Sequence, residues 1–130
     1  MLNFPFLLIP FLLVNGLMFF TPGGLEAVWL SVMLPSDAAW TLKAGDAAVL
    51  VGLVCLYIEI AKSTRTRMTA VVDHVASLAL FVIALLQFLL LPAAGHSAFL
   101  LITVMCLVDV IAGFTVGMAV ARRDVGIMRD

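Results

Sequence analysis

Charge is what this 130-residue chain has least of. Seven basic and eight acidic residues make up 12% of it, against 65% hydrophobic. A soluble domain carries about a quarter charged residues. Too little polar surface is present to cover a water-soluble globule. The class that remains is an integral membrane protein with no separate soluble domain. A net charge of −1 also removes nucleic acid as a partner, since phosphate binding calls for a basic surface.

Cysteine and histidine are scarce too. Cys55 and Cys106 each stand alone in an apolar run. They form no CxxC and no metal-ligand spacing, so both are expected to be small packing residues. The two histidines, His74 and His96, fall on opposite sides of the expected membrane. One chain therefore cannot offer the paired axial ligands of a membrane haem. No HExxH, P-loop or Ser/His/Asp pattern occurs. The expectation is a protein that is not an enzyme and holds no cofactor and no metal.

Apolar runs are what the chain has in abundance. A hydrocarbon core of about 30 Å needs about 20 helical residues. Four spans are predicted in a single membrane domain over residues 1–130, at 4–20, 46–65, 69–91 and 97–121. The first contains Pro5 and Pro10, and Pro10 is expected to kink it. With no basic residue ahead of it and no small-x-small site in FFTPGGLEA, it reads as a retained helix rather than a signal peptide. Lys62, Arg65 and Arg67 lie between spans two and three, and Arg122, Arg123 and Arg129 follow span four. Lys43 alone lies on the other side, so six of the seven basic residues share one side. That side is cytoplasmic by the positive-inside rule, and so are both termini. The short KSTRTR connection predicts that spans two and three pack as an antiparallel hairpin.

The segment at about 25–40 is apolar and interrupted at Pro35. It is expected to form a short interfacial helix on the outer side, with Trp29 and Trp40 as anchors at headgroup level. A docking surface for a partner is the alternative there. The predicted fold class is thus an all-α, integral membrane four-helix bundle with one outer interfacial helix.

Three spans carry small or polar residues at steps of three and four, which share a helix face. Span two has Gly45, Ala48, Gly52, Cys55, Glu59 and Lys62. Span three has Ala70, Asp73, Ser77, Leu80, Ala84 and Gln87, and span four has Cys106, Asp109, Gly113 and Gly117. In lipid, small faces let helices approach, so Gly52, Cys55, Ser77, Ala84, Gly113 and Gly117 are the expected packing residues. Whether these faces close one chain or join two stays open.

Two polar constellations stand out. Counting residues from the cytoplasmic ends puts Asn15 and Asp109 at a similar depth, and they are expected to hydrogen-bond near the midplane. Intramembrane carboxylates are functional candidates by default. Asp109 reads as helix glue, as a docking point or as an ion-binding group. Nearer the cytoplasm, Glu59, Lys62, Arg65, Arg67, Asp73 and His74 are expected to form an ion-pair cluster. A small-ligand, lipid-headgroup or quinone-headgroup site is the alternative for these residues.

The stretch KSTRTRMTAVVDH followed by LVDVIAGFTVG resembles small, functionally uncharacterised four-helix inner-membrane proteins of proteobacterial type, over residues from about 46 to 123. The resemblance implies a bacterial inner membrane and no activity. The key Glu of small multidrug transporters falls where Asn15 stands, and the Gly-Arg signature of small fluoride channels is missing, so neither family fits. The expected role is a non-catalytic accessory or scaffold subunit of a larger membrane complex. Its partners would be membrane lipids and other membrane subunits or copies of itself. The alternative is a small homo-oligomeric channel or proton-coupled transporter using Asp109.

Overall fold

The structure, a computed structural model, describes residues 5–63 and 70–129. Four helices make it 76% helical: α1 (Leu8–Phe20), α2 (Ala44–Ser63), α3 (Ala70–Leu90) and α4 (Ser97–Arg129). α2, α3 and α4 are long and apolar enough to cross a membrane, and α1 is a shorter apolar helix. α1 begins at Leu8, not at residue 4. Pro10 therefore falls in the first turn, where a missing N–H leaves nothing unpaired, and the helix continues through it instead of kinking. α4 passes the expected end at residue 121 and runs to Arg129.

The outer segment overturns the expected interfacial helix. It forms an antiparallel hairpin of β1 (Val28–Met33) and β2 (Ala39–Lys43), so the fold is helical with one β-element rather than purely α. The residues explain this. VWLSVM and AWTLK are rich in β-branched and aromatic side chains, which suit a pleated surface. Pro35 sits second in a turn closed by Asp37 N–H donating to Leu34 O at 2.9 Å, and Asp37 takes φ +64°. This is a type I turn followed by a left-handed residue, a common three-residue hairpin loop, and Asp tolerates that conformation better than most side chains. A bulge falls between Val28 and Leu30.

The hairpin base is tied to the bundle. Ala44 N–H donates to Ala27 O at 2.8 Å. Lys43 Nζ lies 2.6 Å from Glu26 Oε2, and His96 Nε2 lies 2.5 Å from Glu26 Oε1. His96 Nδ1 accepts from Ala98 N–H at 3.0 Å, so the ring is the Nε2–H tautomer and caps α4 while it donates to Glu26. Lys43 and His96 hold the Glu26 carboxyl below its ordinary 4.5, and Glu26 raises Lys43 above its ordinary 10.5. The Glu26 contribution is therefore present above pH 4.5 and lost as pH falls through its lowered value. The Lys43 contribution is present below pH 10.5 and lost as pH rises through its raised one. Tryptophan emission from the hairpin should accordingly change as pH falls through the lowered Glu26 value and as it rises through the raised Lys43 value. No change at either limit would contradict the assignment.

α4 packs along both α2 and α3, and α1 packs on α2. The expected α2–α3 hairpin gives way to this arrangement. The small face of α2 meets α1 and α4 instead: a Cβ on Gly52 would lie 2.8 Å from Met105 Sδ and 3.6 Å from Pro10 Cβ. α2 and α3 are tied near their ends by the Lys62–Asp73 ion pair. Gly45, Ala48, Gly52, Cys55 and Glu59 are all buried, as are Ser77, Leu80 and Ala84 on α3 and Cys106, Asp109 and Gly113 on α4. The small-residue faces therefore close one chain. Gly117 lies within α4. Phe11 and Phe99 pack edge to face, 6.5 Å between centroids, inside this core.

Outside, the large apolar side chains are exposed on every helix: Leu12 on α1, Val54 on α2, Ile83 on α3 and Val104 on α4 are examples. A soluble bundle buries such residues. Here small and polar residues share the inside with a few large ones such as Phe11, Phe99 and Ile102, while most large apolar side chains are outside, the sorting that lipid favours.

Candidate functional site

The buried polar groups gather at the end of the bundle where α2 finishes and α3 starts. Glu59, 1% exposed, projects from α2 onto the start of α1. Its Oε2 accepts the backbone N–H of Phe6. Glu59 thus ties the turn ahead of α1 to α2. Lys62, one turn on, places Nζ 2.8 Å from Glu59 Oε1 and 3.2 Å from Asp73 Oδ1 on α3. The same ammonium sits 5.1 Å from the centroid of the Phe6 ring.

His74 lies against α4. Its Nε2–H donates to Gly113 O at 2.8 Å, and its ring meets Phe114 edge to face at 5.7 Å. Because a carbonyl only accepts, Nε2 carries the proton. Gly113 is the seat for this ring: a Cβ there would lie 2.8 Å from His74 Cε1 and 3.1 Å from Nδ1. Ser77, one turn along α3 from His74, and Asp109 on α4 are both buried, and Lys62, His74, Asp73 and Glu59 lie within electrostatic reach of the Asp109 carboxylate. Asp109 is 7% exposed, and no cation among the described residues touches it.

Glu59, Lys62, Asp73 and His74 are thus brought together as expected, and Asp109 joins them. Arg65 and Arg67, assigned to the same cluster, lie outside the described residues. The expected Asn15–Asp109 pair does not form. Asn15 Nδ2 donates to Gln87 Oε1 at 3.3 Å, and Gln87 Nε2 donates to Asn15 Oδ1 at 2.9 Å. Asp109 is level with Ser77 and Asn15 with Gln87, ten residues further along α3, or about 15 Å at 1.5 Å per residue. The depth count failed at its reference points. Phe6 is already level with Glu59, inside the bundle, and α4 runs on past residue 121.

This geometry makes a prediction. A double-mutant cycle on Asn15→Leu and Gln87→Leu should show coupling of about 0.6–1.7 kcal/mol, the range for interhelical hydrogen bonds in membranes. Asn15→Leu and Asp109→Asn, some 15 Å apart, should be additive. The reverse pattern would restore the pairing that the structure replaces.

Sequence spacing missed three links: Phe6 with Glu59, Asn15 with Gln87 and His74 with Gly113. Gln87 was legible as a member of the α3 face, but not its partner across the bundle. Trp29 and Trp40 sit on the hairpin, both exposed. Among the described residues no group of three or more His, Cys, Asp or Glu is arranged to hold a metal ion. No protein-family model, no curated protein and no solved structure matches this chain.

Proposed function

We propose that the chain is a multi-pass protein of a bacterial inner membrane, with both termini cytoplasmic, serving as a non-catalytic accessory subunit of a larger membrane complex. The observation that carries this reading is how the buried polar groups are used. Glu59 holds the turn ahead of α1, Lys62 joins Glu59 to Asp73, His74 is seated on α4, and Asn15 and Gln87 exchange two bonds. Each interaction pins one helix to another, which suits a rigid body whose task is to be in place. The outer helix faces carry large apolar side chains, a surface for lipids and for neighbouring membrane subunits. The asymmetry of basic residues supports the orientation.

A second reading, a small channel or proton-coupled transporter, rests on Asp109. Its carboxylate is buried and, among the described residues, untouched by a cation, and intramembrane carboxylates often mark ion pathways. Purified chain in liposomes discriminates the two. The accessory role predicts no proton or cation flux, and an Asp109→Asn variant that folds as wild type because the amide has the same size and shape as the carboxylate. Flux that Asp109→Asn abolishes would replace the accessory role with transport.

A further inference from the structure

We propose that the β1–β2 hairpin lies flat in the outer lipid–water interface, its Leu30/Val32/Trp40/Leu42 face in the acyl boundary and its strand edges at headgroup level. The inference rests on the membrane placement proposed above, not on the accessory role. Register defines the face. Leu30 pairs with Leu42 and Val32 with Trp40, and directly paired residues project to the same side while alternate residues share it. All four are apolar. The opposite face carries Ser31, Met33, Ala39 and Thr41, a mixed surface.

Three environments compete for this hairpin. Bulk water leaves Leu30, Val32 and Trp40 exposed, and an isolated two-stranded hairpin in water is marginally stable at best. The hydrocarbon core is worse. The sheet has only two strands, so each keeps an outer row of unpaired N–H and C=O groups, each costing several kcal/mol in lipid tails. The headgroup zone satisfies both demands, with water for the edges and acyl chains for one face, and aromatic rings with a polar edge concentrate there.

Position and polarity agree with this occupant. The groups at the two ends of the hairpin are polar, Ser36 and Asp37 at the tip and the Glu26–Lys43–His96 cluster at the base. The band between them is apolar. Around the same end of the bundle, Phe19 and Phe20 close α1, and Leu89 and Leu90 close α3. All four are exposed, Phe20 at 87%. The hairpin and this apolar rim thus lie at the same end of the bundle.

The chain has two tryptophans, Trp29 and Trp40, and both belong to the hairpin. Intrinsic emission of the full-length protein reports on this segment alone. The test is emission in phosphatidylcholine–phosphatidylglycerol vesicles whose acyl chains carry bromine either just below the headgroup or near the terminal methyl. Burial of about 5–10 Å into the headgroup–acyl boundary predicts blue-shifted emission. The shallow bromine should cause the larger loss, and aqueous acrylamide little. The loss should be greater in Trp29→Phe, which keeps Trp40, than in Trp40→Phe. Quenching by acrylamide and not by bromine overturns the proposal in favour of water. Quenching by neither overturns it in favour of a protein cover, a second copy or a partner.

Tyr57, 74% exposed on α2, supplies the control. A Trp29→Phe/Trp40→Phe/Tyr57→Trp variant should be quenched by lipid bromine. If it is, and the hairpin tryptophans are not, the hairpin proposal alone falls. If it is not, the membrane placement falls and the hairpin proposal with it.

Discussion

Replacing Lys62 by methionine is expected to cost about 3–5 kcal/mol of stability, the range for removing one partner of a buried ion pair. The ammonium serves two carboxylates at once, Glu59 at 2.8 Å and Asp73 at 3.2 Å. Glu59 is almost fully buried and Asp73 largely so. Methionine fills similar volume and leaves the stem packed against Phe6, so the loss isolates the charge. Adding Glu59→Gln should recover part of it. The glutamine oxygen still accepts the Phe6 N–H without a buried charge at position 59, while Asp73 still lacks the ammonium. Thermal unfolding of the purified variants in detergent reads both effects. A Lys62→Met protein as stable as wild type would show that Glu59 and Asp73 do not depend on Lys62.

Three glycines that look alike in sequence should differ when each is replaced by alanine. At Gly45 a Cβ would lie 2.8 Å from Ala98 Cβ and 3.2 Å from Leu25 O. Neither can rotate away, because one rides on the α4 backbone and the other is backbone. At Gly113 it would strike the His74 ring at 2.8 Å, and that ring is held by its bond to Gly113 O and by Phe114. Overpacking of this kind costs about 1–3 kcal/mol. At Gly52 the obstacle is Met105 Sδ at 2.8 Å, part of a flexible thioether that adapts. Alanine in a helix interior recovers about 0.5–1 kcal/mol relative to glycine. Gly52→Ala should therefore be near neutral, while Gly45→Ala and Gly113→Ala lower the melting temperature clearly. Equal effects at all three would mean that the packing contacts do not control these positions.

These contrasts show what the sequence carried and what it did not. The faces of α2, α3 and α4 were legible because three- and four-residue steps fix which residues share a side. Glu59, Cys55, Ser77 and Asp109 are buried on those faces. Which face meets which is a matter of three-dimensional packing, so the pairing of α4 with both α2 and α3 was not legible. Depth was the weakest reading. It was counted from assumed helix ends, and α1 starts inside the bundle at the level of Glu59. The hairpin was missed for a different reason. VWLSVM lacks the polar–apolar alternation of a half-buried strand because it is apolar on both sides. Its β-branched and aromatic content, and Pro35 followed by Asp37, carried the turn signal. Trp29 and Trp40 as a pair marked the segment correctly as unusual while its backbone was misread.

The most direct test of the accessory role is the intact mass of the particle extracted from native membranes in a mild detergent. The accessory role predicts that this chain comes out with other chains in a fixed ratio, and that a bulky substitution of an exposed helix residue such as Val104, but not Asp109→Asn, releases it. A particle containing only copies of this chain would contradict the accessory role and move Asp109 to the centre as an ion-binding site.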